Sequence, residues 1–301
     1  MPATVSAVRE ALGPGGPFAA KIPGYQPREP QLQMAEAVAG AFDAGSLLLV
    51  EAGTGTGKTY AYLVPAILSG KRTIVSTGTR NLQDQLFHRD LPMVRQLLGR
   101  PLRTALLKGR SNYLCPYRLQ QHLEEGDLPS KQAVHDLHRV AAWAGKTELG
   151  DIAELLDIAE DSPVWPLVTS TADNCLGQEC PKLADCPLMK AREKAAEAEL
   201  IVVNHHLFFA DKALKDRGFG ELLPEADAVV FDETYADGAR FTLGALEVEV
   251  MHTPGHTPAC MTHVAGDAAF VGDTLFMPDG GSARADFPGG DARTLYRSIQ
   301  R

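Results

Sequence analysis

The sequence predicts an α/β protein in which a parallel sheet with helices on both faces precedes a smaller β-rich segment. Three observations carry that expectation. Short apolar runs alternate with helix-forming stretches, the pattern of strands joined by helical crossovers. A glycine-rich loop, Glu51-Ala-Gly-Thr-Gly-Thr-Gly-Lys-Thr59, sits between an apolar run and a helix start. After Glu233 the texture changes to short strands at close spacing with frequent turns.

Taken in order, residues 4–12 read as a short helix broken by Gly13-Pro-Gly-Gly-Pro17. Leu32 to Phe42 has helical apolar spacing, and Leu47-Leu-Leu-Val50 reads as the strand feeding the glycine loop. Arg72–Ser76 and Leu102–Leu107 read as the next two strands. Residues 117–160 are mostly helix-forming, and 173–187 form a cysteine-rich loop. A helix through Lys190–Glu197 leads to the strands Leu200–Val203 and Ala228–Phe231, the latter ending in Asp232-Glu233. Residues 240–276 read as a β-meander, and Arg293 to Gln300 as a final helix.

The formal net charge is −9, so overall charge gives nucleic-acid binding no support and leaves it to a local basic groove. Hydrophobic content of 45% and charged content of 22% suit a globular chain. No apolar run approaches the about 20 residues that span a bilayer, so no membrane partner is expected. The N-terminus lacks a basic stretch followed by an apolar core, which makes the cytoplasm the expected compartment. Five cysteines in such a chain argue against a disulfide framework. The sequence leaves oligomeric state open.

The glycine loop is a phosphate cradle by its chemistry. Gly53, Thr54, Gly55, Thr56 and Gly57 let successive backbone N–H groups turn inward, and the following helix N-terminus adds partial positive charge. Lys58 would reach the β/γ-phosphates and the Thr59 hydroxyl would ligate Mg²⁺, with ATP as the expected cofactor. Asp232 and Glu233 close an apolar strand; Asp232 would hold Mg²⁺ and Glu233 would orient the attacking water. Lys58, Asp232 and Glu233 are thus the candidate catalytic set. Cys115, Cys175, Cys180 and Cys186, the last three spaced C-x4-C-x5-C near prolines and glycines, suit either a [4Fe–4S] cluster or Zn²⁺.

In order along the chain, Tyr25-Gln-Pro-Arg28 with Gln31, Ala52–Thr59, Ser76-Thr-Gly-Thr79 with Leu82–Leu86, Lys108–Cys115 and Val203–Phe208 together resemble the first motor lobe of iron–sulphur superfamily 2 DNA helicases, the DinG/XPD group, and most the bacterial DinG/YoaA branch. The resemblance implies a RecA-like P-loop sheet with an inserted helical iron–sulphur domain. It implies adenine reading by Arg28 and Gln31, contact of the 76–86 stretch with the DNA backbone, and a [4Fe–4S] cluster on the four cysteines. Single-stranded or forked DNA is the implied partner, and ATP-driven 5′-to-3′ unwinding the implied activity. His205 and His206 belong, on this resemblance, to a structural segment.

Beyond Glu233 the chain reads Val250-Met-His-Thr-Pro-Gly-His-Thr257, Phe270-Val-Gly-Asp-Thr-Leu-Phe276 and Ala283–Gly290. These stretches resemble the second half of the metallo-β-lactamase superfamily, most closely its persulfide dioxygenase-like branch. His256 and Asp273 are the candidate ligands of Fe²⁺ or Zn²⁺ there. The superfamily's upstream His-x-His-x-Asp-His motif occurs nowhere in the chain, so this site is expected to be incomplete.

The expected organisation is an N-terminal extension (1–24), a helicase lobe made of 25–110 and 200–233, an iron–sulphur insertion (111–199) and a partial metallo-β-lactamase-like segment (234–301). The junction falls within the Asp-Glu motif, so the chain reads as a truncated helicase lobe joined in frame to a truncated metallohydrolase half, by genomic rearrangement or as an assembly artefact. Nucleotide and DNA binding without competent unwinding is the first functional expectation; an incomplete iron-dependent persulfide dioxygenase or hydrolase is the alternative. In the related lobes a strand that follows Asp-Glu in sequence lies between the glycine-loop strand and the Asp-Glu strand. Its slot is expected either to be filled by Leu246–Met251 or to leave a poorly formed join.

Overall fold

The computed structural model describes residues 3–50, 52, 56–126, 130–216, 221–232, 238–243, 246–254, 261–271, 282, 285 and 290–300. By packing, the chain divides into two units, Met1–Ser69 with Glu233–Arg301, and Gly70–Asp232.

The second unit holds a four-stranded parallel sheet of order β2-β3-β1-β4: β1 (Thr73–Thr77), β2 (Thr104–Leu106), β3 (Leu200–Asn204) and β4 (Ala228–Asp232). The inner strands β1 and β3 are buried along almost their whole length, which is why their sequences read as unbroken runs. The outer strand β4 alternates, with Val229 and Phe231 exposed. Ile74, Ile201 and Val203 pack with Leu107, Ala195 and Leu223 in the main core. Each buried Ile, Leu or Val side chain contributes roughly 1.5–3 kcal/mol over an exposed one.

The crossover from β1 to β2 runs through α5 (Arg80–Gln85), a π-turn and α6 (Leu91–Leu98). Between β2 and β3 lies the insertion, with α7 (Pro116–Glu125), α8 (Lys131–Ala144), α9 (Trp165–Val168) and α10 (Pro187–Glu197). Its helices enclose a separate core of Leu114, Leu119, Leu137, Val140, Val164 and Trp165. The Ser130 hydroxyl caps α8 by accepting from the Ala133 N–H at 3.0 Å. After β3, α11 (His205–Asp216) returns to β4. Its buried Asp211 accepts from the Leu222 and Leu223 N–H groups, fixing that return.

In the first unit, α1 (Ala3–Leu12), α2 (Pro17–Lys21), α3 (Glu29–Ala44) and α4 (Lys58–Leu68) precede the sheet. α4 is buried from Ala61 to Ile67 and packs on α3. The same unit contains an antiparallel meander, β5 (Arg240–Leu243), β6 (Leu246–His252), β7 (Met261–Ala265) and β8 (Ala268–Phe270), then α12 (Ala292–Ile299). Gly266 occupies the first position of the two-residue β7–β8 turn at φ 62°, which a side chain would resist.

Two expectations need correction. Leu47–Val50 forms no strand: it lies outside every described ladder, with Leu47 97% and Leu49 85% exposed. A parallel strand needs a neighbour for its N–H and C=O groups, and the described sheet ends at β4. Leu246–Met251 does not take the slot beside β4 either, because β6 is paired on both sides by β5 and β7. Residues 233–237, at the expected junction, lie outside the described residues.

Candidate functional site

The end of the glycine loop is built from the first unit alone. Gly57 caps α4 at φ 86° and ψ 36°, a left-handed conformation that glycine adopts without strain. Lys58 and Thr59 are therefore the first two residues of the helix, where unpaired backbone N–H groups gather. Gln31, 4% exposed on α3, donates from Nε2 to the Gly57 carbonyl at 3.1 Å. Tyr25 donates its hydroxyl to Gln31 Oε1 at 3.1 Å, with the Leu12 carbonyl equally close. Burial raises the Tyr25 pKa, which keeps the phenol a donor. Arg28 is the exposed residue preceding α3. Thr56 is described as well, whereas Gly53, Thr54 and Gly55 lie outside the described residues.

At the carboxyl ends of the strands in the second unit, Thr77, Asn204 and Asp232 stand in register on β1, β3 and β4. Open parallel sheets bind ligands at this end of their strands. Ser76 Oγ and His205 Nδ1 lie 2.6 Å apart and tie the start of α11 to β1. Ser76 is fully buried, so the pair acts as a brace. Thr79 uses its hydroxyl to cap α5, accepting from the Leu82 N–H at 3.2 Å. Glu233 lies outside the described residues.

The four candidate cysteines are free, half-buried thiols in the second unit. Cys115 and Cys186 each precede a helix that opens with proline, α7 and α10. Cys180 and Cys186 end successive 3-10 turns. Burial pushes the Cys115 thiol up, the backbone N–H groups of Arg118 and Tyr117 pull it down, and Cys180 and Cys186 are close enough to raise it electrostatically. Arg192 on α10 feels both Cys175 and Cys186. Among the described residues no three His, Cys, Asp or Glu side chains are grouped to hold a metal ion. Neutral thiols gain little by converging, and the energy that draws such ligands together comes with the metal. The donor set nonetheless fits a thiolate-bound group, with two thiols at helix N-termini and backbone donors aimed at one of them. His256, Asp273 and the fifth cysteine, Cys260, lie outside the described residues.

Sequence reasoning missed the ion triad centred on Lys108. This buried side chain, 3% exposed, reaches Asp84 at 2.8 Å and Asp151 at 2.7 Å. A lysine immediately after an apolar strand carries no pattern of its own, and its partners lie 24 and 43 residues away along the chain.

Residues 28–113 match the DEAD/DEAH box helicase family and residues 191–301 the metallo-beta-lactamase superfamily. The chain is 56% identical over 225 residues to the ATP-dependent DNA helicase YoaA of Escherichia coli K12, covering 74% of this chain and 35% of that protein. It is 37% identical over 237 residues to the ATP-dependent helicase DinG of Mycobacterium tuberculosis, covering 71% and 35%. A probable metallo-hydrolase of Burkholderia pseudomallei is 59% identical over 85 residues, covering 25% of this chain and 29% of that protein. The chain thus spans about a third of the length of these curated relatives. Among solved structures, ETHE1 from Myxococcus xanthus aligns with TM-score 0.23 and 29% identity over 39% of this chain and 53% of that one. The second match begins at Ala191 on α10, ahead of the junction expected after Glu233.

Proposed function

We propose that this chain, in which a YoaA/DinG-type helicase domain is followed by a metallo-β-lactamase-type segment, binds Mg-ATP and single-stranded or forked DNA without coupled unwinding. The observation that carries the nucleotide reading is the left-handed Gly57 held by Gln31, which sets Lys58 and Thr59 at a helix N-terminus. An anion there meets partial positive charge and unpaired N–H donors. Lys58 would neutralise the β/γ-phosphates, Thr59 and Asp232 would hold Mg²⁺, and Glu233 would orient water. Arg28 and Gln31 would read the adenine, which requires the Gln31 amide to leave the Gly57 carbonyl. The residues up to 233 are followed by Thr234-Tyr235 and a metallohydrolase-like stretch, so the groups that would convert hydrolysis into strand separation are not expected from this sequence.

Cys115, Cys175, Cys180 and Cys186 would hold the [4Fe–4S] group, which supplies four Fe–thiolate bonds. Those bonds would fasten the 175–186 loop to the start of α7. The cytoplasm is the compartment proposed for such a protein; among the described residues no helix is long and apolar enough to cross a membrane.

The test is metal and acid-labile sulphide content of the purified chain together with fluorescent ATP-analogue binding. Iron and sulphide near four each per chain, with saturable nucleotide binding, are expected of about one [4Fe–4S] group. A second reading rests on the 59% identity to a probable metallo-hydrolase: an iron-dependent oxygenase or hydrolase acting on a small thiol at His256 and Asp273. Fe²⁺-dependent oxygen consumption with glutathione persulfide would favour it over the first.

A further inference from the structure

We propose that Lys108 is a positioning residue that ties the cysteine-bearing insertion to α5, so that a change at α5 is felt at the thiols.

The tie has three parts. Lys108 directly follows the β2 exit, where the Leu107 N–H donates to the Val202 carbonyl at 3.0 Å. From there its ammonium reaches Asp84 of α5 on one side, at 2.8 Å, and Asp151 of the insertion on the other, at 2.7 Å. The neighbouring α5 residue, Gln83, donates to the Leu107 carbonyl at 3.2 Å, so two consecutive α5 side chains hold this one strand exit.

Asp151 is itself fixed within the insertion. Its Oδ1 accepts from the Ala153 N–H at 3.0 Å, and its backbone bridges to Tyr113. Tyr113 accepts from the Lys108 backbone N–H at 3.1 Å and lies two residues before Cys115. The Leu114 N–H donates to the Gly150 carbonyl at 2.8 Å, and the Cys115 N–H to the Val168 carbonyl at 2.7 Å. A continuous run of short contacts therefore leads from α5 through Lys108 to the Cys115 backbone.

The ammonium is nearly solvent-free, and one cation faces two carboxylates. A buried charge with fixed partners has few alternative geometries, because losing either partner strands a charge away from water. Moving Asp84 must therefore move Lys108, and Lys108 moves Asp151. On the function proposed above, α5 lies within the 76–86 stretch that meets DNA, and the tie then links nucleic acid to the cluster; that clause alone rests on the functional reading.

The experiment measures iodoacetamide alkylation of each cysteine by mass spectrometry on the purified full chain, with iron and sulphide content determined in parallel. Asp84→Asn is expected to raise the Cys115 rate several-fold. Lys108→Met is expected to raise it similarly, and adding Asp84→Asn to Lys108→Met is expected to change nothing further. Lys108→Arg, keeping the cation, is expected to retain at least part of the protection. If Lys108→Met does not fold, Asp151→Asn replaces it, because an Asn can still accept from the Ala153 N–H. Independent multiplication of the two single effects, or an unchanged Cys115 rate in Asp84→Asn, overturns the proposal. Absence of iron would count against the cluster reading alone, since alkylation reports on the bare thiols equally well.

Discussion

Gln31 and Gly57, 26 residues apart, are joined by one hydrogen bond from a buried amide to a loop carbonyl. A Cβ on Gly57 would lie 2.1 Å from Gln31 Nε2, so the two positions are matched in shape as well as in polarity. The amide that the helicase resemblance assigns to adenine here holds the carbonyl of the glycine that opens α4.

Substitution at either end should loosen that loop. Gln31→Ala is expected to cost about 1 kcal/mol of stability for the lost hydrogen bond and to weaken ATP binding. Gly57→Ala combines a Cβ collision with a left-handed φ of 86°, and is expected to cost about 1–3 kcal/mol and abolish nucleotide binding. Urea unfolding and titration with a fluorescent ATP analogue read both effects.

Tyr113 should give the fold a sensitivity to alkali. Burial pushes its phenol up to about 12, with the Asp151 charge adding to the rise and the Lys108 N–H and Arg192 opposing it. In the unfolded chain the phenol ionises near its ordinary value of about 10. Between those limits the unfolded state binds fewer protons, so stability falls as pH rises. The contribution, on the order of 3 kcal/mol, is present in full below about pH 10 and lost by about pH 12. Urea midpoints across that window should drop less steeply in Tyr113→Phe, by about one proton.

Most of the sheet was readable in the sequence because its strands are buried on both faces. Val75 and Val202 are fully buried, and unbroken apolar runs are what such positions require. The same logic failed for Leu47–Val50, which is just as apolar, because strand formation depends on a neighbour that the run itself does not encode. The β4 sequence likewise reads as fully buried, yet Val229 and Phe231 are exposed on what is the outer strand of the described sheet. At the site, the helix start at Lys58 was legible from the glycine run that precedes it. Lys108 was not, since a buried ion triad is assembled from side chains that are distant in sequence.

Gly150→Ala should disturb the cysteine region from outside it. Gly150 has φ 63°, and a Cβ there would lie 2.5 Å from Pro187 Cγ, on the residue after Cys186. The strain should cost about 1–3 kcal/mol, lower the melting temperature and reduce retained iron or zinc. An unrelated left-handed glycine with open space, Gly99→Ala, should lower stability but leave metal retention unchanged.

The most direct measurement is calorimetric titration of the full chain with Mg-ATP, beside Lys58→Ala. The account predicts one saturable site in the wild type and none in the variant at the same protein concentration. No binding heat in the wild type, or equal heat in both, would contradict a phosphate site at the start of α4.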